Sequence, residues 1–188
     1  YVLGDPAAAL TVRIGATGKR LWLKTYRGAE GLGASASAVA PCPTGGVYVC
    51  GGVQSSASSS DGFVMRYSPT GSRKVFTLDA AGGGPHNQFF NDLAVTSTKK
   101  VVAVGYSSAS GTRDCRAMVY DGDGTWADAG HQQVTPGAFG NDEFTCVAAD
   151  PMGGYVAAGY WWASSTNRQV CVLRRSTYVN GADWAAVF

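Results

Sequence analysis

The segment GGVYVCGG (Gly45 to Gly52) returns as KKVVAVGY (Lys99 to Tyr106) and again as GGYVAAGY (Gly153 to Tyr160). Gly51, Gly105 and Gly159 anchor the three copies and stand 54 residues apart. Upstream, Val39, Leu93 and Val147 keep that 54-residue spacing, and each is followed by Ala. Downstream, FVMRYSPTG (Phe63 to Gly71) matches AMVYDGDG (Ala117 to Gly124) at a shift of 53, and TVRIGATG (Thr11 to Gly18) lies another 53 earlier. VCVLRR (Val170 to Arg175) is the fourth copy of this run. After the turn glycines come aromatics: Trp22, Phe76, Trp126 and Trp184. Self-similarity at a fixed period of this size is the mark of a repeat architecture, in which each unit buries its apolar face against its neighbours.

Each unit resolves into four short strands, a to d. Strand a is the AVA or LAV run. Strand b ends in the anchoring glycine, strand c surrounds Met65, Met118 or Leu173, and strand d carries the aromatic. Strand c alternates with period two: Phe63, Met65 and Tyr67 on one face, Val64 and Arg66 on the other. The c–d turns GATG, SPTG and DGDG hold Gly, Pro or Asp where a tight hairpin needs them. Composition agrees. The chain of 188 residues has 26 Gly and 27 Ala but only 8 Leu and 2 Glu, which excludes a helical bundle. With 45% hydrophobic and 15% charged residues it is globular. A net charge of +2 lacks the basic stripe of a nucleic-acid binder. No apolar run of about 18 residues exists to form a transmembrane helix.

Four antiparallel strands in roughly 40–50 residues are the pattern of a β-propeller blade. TGKRLWLKTYRG (Thr17 to Gly28), TGGVYVCGG and DGFVMRYSPTG resemble the tandem repeats of bacterial-type β-propellers. Those repeats combine a Gly-Gly-Tyr strand, a Ser/Gly-rich loop, an Asp-led strand and a Gly-x-x-x-Trp strand. Lys99-Lys100 departs from the Gly pair, and RRSTYVNGADW is longer than its counterparts; both changes fall in turns. The expected fold is therefore all-β, one partial propeller over 1–188. Its blades cover 1–28 (half), 29–80, 81–131 and 132–188. Closed propellers have roughly four to eight blades, so a protein partner, or a missing part of the same polypeptide, is expected to complete the ring. The first unit lacks its a and b strands, so residues Ala8 to Gly15 are expected to pair with a strand from elsewhere. Val39, Leu93, Val147, Met65, Met118, Trp22 and Trp126 are expected to be buried between blades.

The resemblance specifies blade structure rather than an activity. It points to an extracellular or envelope setting, while the odd cysteine number leaves an intracellular or organellar one open. His86 and His131, the two histidines, lie in connections from strand d to the next strand a. With Asn91, Asp92, Asn141 and Asp142 they are candidate ligand-binding residues on one face of the ring. The opposing reading is that they cap strand ends. Trp161 and Trp162 follow the last anchoring glycine; adjacent strand residues face opposite ways, so at most one is core and the other is a candidate aromatic platform. Asp121 to Gly124 reads as a hairpin turn, since the later ligands of a calcium loop are missing. The five cysteines show no CxxC spacing, and Cys50 and Cys171 fit small buried hydrophobes. No catalytic set, metal site or cofactor motif is recognisable. The leading expectation is a non-enzymatic binding or scaffold module acting through protein–protein contact. The alternative is a carbohydrate-binding or enzymatic propeller with a central polar site on the d–a loop face.

Overall fold

The computed structural model describes residues 7–28, 31–56, 58–78, 87–108, 111–122, 132–134, 140–175 and 184–187. The regular elements of these residues are all strands. A two-stranded sheet comes first, β1 (Ala9–Ile14) with β2 (Arg20–Tyr26). Three four-stranded antiparallel meanders follow. One contains β3 (Ala34–Pro41), β4 (Val47–Gln54), β5 (Ser60–Tyr67) and β6 (Arg73–Leu78). The next contains β7 (Gln88–Val95), β8 (Val101–Ser107), β9 (Asp114–Tyr120) and β10 (Gln132–Val134). The last contains β11 (Glu143–Ala149), β12 (Tyr155–Ser164), β13 (Asn167–Arg175) and β14 (Trp184–Val187). Strand order in each sheet follows chain order. The described strands do not form a closed ring.

The anchoring glycines owe their spacing to a bulge. The β3–β4 register shifts between Ala36 and Ala38, the β7–β8 register between Phe90 and Asp92, and the β11–β12 register between Phe144 and Cys146. Each bulge inserts one extra residue into the first strand and bends it. Gly51, Gly105 and Gly159 sit opposite these bulges, paired with Ala36, Phe90 and Phe144. A Cβ on any of the three would lie 1.9 Å from the carbonyl oxygen of Ser35, Phe89 or Glu143. Only glycine lets the two backbones approach this closely.

The turns repeat as well. In the first-to-second-strand turns, Gly45, Lys99 and Gly153 donate their N–H to the carbonyls of Cys42, Thr96 and Asp150. Gly45 and Gly153 have φ of 85° and 95°, and Lys99 adopts the same left-handed region at 64°. That conformation costs a side-chain-bearing residue about 1 kcal/mol or more. Lys99→Gly is therefore expected to stabilise the chain, with a gain of about 0.5–1 kcal/mol after the extra unfolded-state freedom of glycine. Urea unfolding of the two forms measures it, and no rise in midpoint would mean that the turn relaxes around lysine without strain.

The sheets stack face to face in sequence order. Ala9, Tyr26 and half-buried Trp22 meet Val49, Phe63, Met65 and Tyr67 of the β3–β6 sheet. The opposite face of that sheet, with Tyr48, Cys50 and Val64, meets Phe90, Leu93, Val101, Met118 and Tyr120 of the β7–β10 sheet. The far face of β7–β10, with Val102, Val104, Cys115 and Ala117, meets Phe144, Tyr155, Ala157, Cys171 and Leu173 of the β11–β14 sheet. Each of the two middle sheets thus has a leading face that packs on the sheet before it and a trailing face that packs on the sheet after it, whereas among the described residues the first sheet is covered on its trailing face alone. Two buried faces on these middle sheets explain the dense apolar runs of β4, β8 and β9.

The expected core holds at Leu93, Met65 and Met118, which are buried, while Val147 and Trp22 are half-buried. Trp126 lies outside the described residues. Val39 departs from expectation: it is 63% exposed, against 5% for Leu93 at the corresponding position. Ala38, Ala40 and Cys50 pack in the same cluster as Leu93. These residues come from β3 and β4, the first two strands of the preceding sheet. Among the described residues the sheet preceding Val39 consists of β1 and β2 alone, so no such pair of described strands lies over it. Cys50 and Cys171 are buried as expected, together with Cys42 and Cys115, and all five cysteines are free thiols. Burial pushes the Cys50 thiol up to about 12 and raises Cys115 and Cys171, which leaves these three without thiolate character at neutral pH.

Candidate functional site

Six of the eight residues singled out from the sequence are described, and all but Trp162 lie near where the β7–β10 sheet meets the β11–β14 sheet. His86 and His131 lie outside the described residues. Asn91 and Asp92 belong to β7 itself and not to the connection before it, because this strand begins at Gln88. Asn91 is the residue skipped at the bulge, and the bend turns its side chain to the next sheet. Its Nδ2 donates to Glu143 Oε1 at 2.9 Å and to the Phe144 carbonyl at 2.8 Å. Asp92 accepts the N–H of Leu93 through Oδ1 and the N–H of Val147 through Oδ2, both at 2.9 Å. The same device recurs one sheet earlier, where the hydroxyl of Ser37, at the β3 bulge, donates to the Phe90 carbonyl.

Around Glu143 the network widens to residues without a sequence signal. Its Oε2 accepts from Arg113 Nη1 and from the Tyr160 hydroxyl, each at 3.1 Å. The Arg113 guanidinium also stacks over the Tyr106 ring, 4.1 Å from its centroid. Asn141 Oδ1 accepts the Arg113 backbone N–H at 3.0 Å. Neither Arg113 nor Tyr160 stands out in the chain: one ends a Ser-rich loop, and the other resembles Tyr106, its counterpart one repeat earlier.

Asp142 is fully buried. Its Oδ1 accepts the Trp162 N–H at 2.8 Å, while Oδ2 has no hydrogen-bond partner among the described residues. Burial raises its carboxyl above the ordinary value, the Trp162 N–H acts in the opposite sense, and nearby Asp114 adds to the rise. The folded chain therefore holds this proton at a pH where the unfolded chain has released it. Its contribution to stability is present below the unfolded carboxylate value and is lost as pH rises through the raised folded one. Asp142→Asn keeps an oxygen for Trp162 and removes the titration. Unfolding midpoints measured from pH 4 to 7 are expected to fall less in this variant than in the parent. Parallel profiles would show that Asp142 does not carry the linkage.

The two tryptophans divide as their alternation requires. Trp161 packs with the core cluster between the last two sheets, and its buried Nε1 has no hydrogen-bond partner among the described residues. Trp162, on the other face of β12, lies over Gly140, where a Cβ would come within 2.5 Å of the indole.

Two openings lie away from this cluster. One, of about 400 Å³, is bordered by Gly33, Gly52, Val53, Gln54 and Phe89. Gln54 spends its Oε1 on the Gly33 N–H there. The other, of about 240 Å³, runs between β1 and β3 and is bordered by Leu10, Val12, Ala36, Val39 and Val49. Among the described residues no group of three or more His, Cys, Asp or Glu side chains is placed to hold a metal ion. No helix among them is long and apolar enough to cross a membrane.

Compared with protein-family models the sequence matches none, and comparison with curated proteins finds no significant match.

Proposed function

We propose that this chain is a non-enzymatic scaffold of β-propeller type, an arc of stacked four-stranded blades that binds a protein partner through its first, two-stranded sheet. The observation that carries this reading is the leading face of that sheet. Leu10, Val12, Ile14, Leu21 and Leu23 are 42–58% exposed. Val12 and Ile14 correspond through the repeat to Met65 and Tyr67, and to Met118 and Tyr120, all buried where a sheet lies against them. Five large aliphatic side chains on one small sheet form a contiguous apolar patch of the kind that marks an interaction surface. The polar candidates favour the same reading. Asn91 and Asp92 spend hydrogen bonds on the backbone of β11, which joins the β7–β10 sheet to the β11–β14 sheet, and Asp142 spends one on the β12 backbone of its own sheet.

The test is the fluorescence of a hydrophobic probe such as anilinonaphthalene sulfonate, compared between the parent and a Leu21→Lys/Leu23→Lys double variant. Strong emission from the folded parent and a marked loss in the double variant are expected, with unchanged circular dichroism. A folded parent that leaves the probe dark would contradict the exposed face and the proposal built on it.

A further inference from the structure

We infer that the free edge of β1 and the groove beside it are the seat of a two-stranded antiparallel hairpin from a partner polypeptide, which adds to β1 and turns its sheet into a four-stranded one. This rests on the scaffold reading above and names the partner's chemistry.

Three observations converge on the seat. First, β1 occupies the place of a third strand. The Ala34 N–H donates to the Ala7 carbonyl just before β1, as the Asp142 N–H donates to the Arg113 carbonyl just before β9. In the later sheets the third strands β5, β9 and β13 are paired on both sides, whereas among the described residues β1 is paired with β2 alone. A strand edge of apolar character is a template for strand addition. Second, the groove floor is apolar and open. Val39 and Val49 form it, in the positions that Leu93 and Ala103 hold beneath the first two strands of the preceding sheet. Third, a polar acceptor lacks the donor its counterparts have. The bulge carbonyls of Phe90 and Phe144 accept from Ser37 and Asn91, side chains on the first strand of the sheet before. The corresponding carbonyl, that of Ala36, borders the groove, and among the described residues no side chain donates to it.

The occupant's chemistry follows from these contacts. The residues that cover corresponding positions elsewhere are mostly apolar: Ala38, Ala40, Tyr48 and Cys50 in one interface, Val102 and Val104 in the next. The hairpin therefore presents a run of apolar side chains, from Ala to Tyr in size, to Val39 and Val49. A Ser or Asn at its bulge points at the Ala36 carbonyl. A second copy of the folded chain fits poorly, because its β1 brings its own β3–β6 sheet onto the same side of the seat.

The probe is a synthetic peptide spanning Gln88 to Ser107, the β7–β8 hairpin of this chain, labelled with a fluorophore and titrated with the whole protein. In the chain Asn91 and Asp92 of this hairpin bond Phe144 and Val147. On the seat they would meet Ala36 and Val39. Saturable binding is expected, with slowed hydrogen exchange of the β1 amides. Asn91→Ala in the peptide should weaken binding about three- to tenfold, the loss of one hydrogen bond. Val39→Lys in the protein should abolish binding while leaving the unfolding midpoint near that of the parent, since Val39 is exposed. No saturable binding, or binding unaffected by Val39→Lys, would overturn the seat. A dimer without peptide that Val39→Lys dissolves would replace the hairpin by a second copy. If the hydrophobic probe still lights up on Leu21 and Leu23 while the peptide fails, the hairpin seat alone is wrong. If the probe stays dark, the scaffold reading itself falls.

Discussion

Gly105→Ala is expected to unfold the chain or to leave it with only a small fraction of its stability. The added methyl would sit 1.9 Å from the Phe89 carbonyl oxygen, in the second strand of the middle sheet, with packed sheets on both faces. Relief requires β7 to move away from β8. That movement strains the Phe90–Asp92 bulge and the Asn91 and Asp92 bonds that reach β11. Losses above about 4 kcal/mol are exceptional for one methyl, and this site has the named cause for one: overpacking against backbone that cannot rotate aside. Gly51→Ala and Gly159→Ala should act in the same direction. Thermal or urea unfolding of the three variants is the measurement, and a Gly105→Ala protein within about 1 kcal/mol of the parent would refute the close backbone approach.

The second large effect is a contrast between two positions that the repeat makes equivalent. Leu93→Ala should cost roughly 2–5 kcal/mol, because it opens a cavity among Cys50, Phe90 and Ala103. Val39→Ala, 54 residues earlier, should cost under about 0.5 kcal/mol, the usual range for a surface substitution. Equal losses at the two sites would mean that Val39 is covered in solution by the chain itself.

Much of this architecture is legible in the amino-acid sequence. The 54-residue glycine spacing implies three like sheets, because a backbone approach that excludes Cβ leaves glycine as the residue that fits, and such a constraint persists through repeats that change elsewhere. The half unit at the start is legible too, since TVRIGATG aligns with third strands and not with first ones. The exposure of Val39 is not. Periodicity fixes a residue's place within its own sheet, and burial depends on what the neighbouring sheet contributes. The bulges are equally hidden, because ASASAVAP reads as ordinary alternation, and the extra residue is visible only against its partner strand.

The candidate site is less legible than the fold. Asn91 and Asp92 draw attention as polar residues near a histidine, and the expected loop placement follows from that company. In β7 their side chains instead cross to the next sheet, which a one-strand view of the sequence has no means to show. Glu143 becomes the hub of the network through Arg113 and Tyr160, which are 30 and 17 residues from it in the chain. The distances that matter there are set by sheet stacking and carry no local motif.

Everything proposed for the first sheet depends on β1 being a third strand whose outer side is open. Amide hydrogen exchange of the whole chain, read strand by strand, tests that most directly. Third strands β5 and β9 should be strongly protected where both neighbours pair with them, Phe63 to Tyr67 in β5 and Cys115 to Ala117 in β9. In β1, amides that point to β2 should be slowed and those that point to the groove should exchange at close to the rate of an open chain. Uniform protection of Ala9 to Ile14, at the level of β5 and β9, would contradict the open edge and with it the hairpin seat.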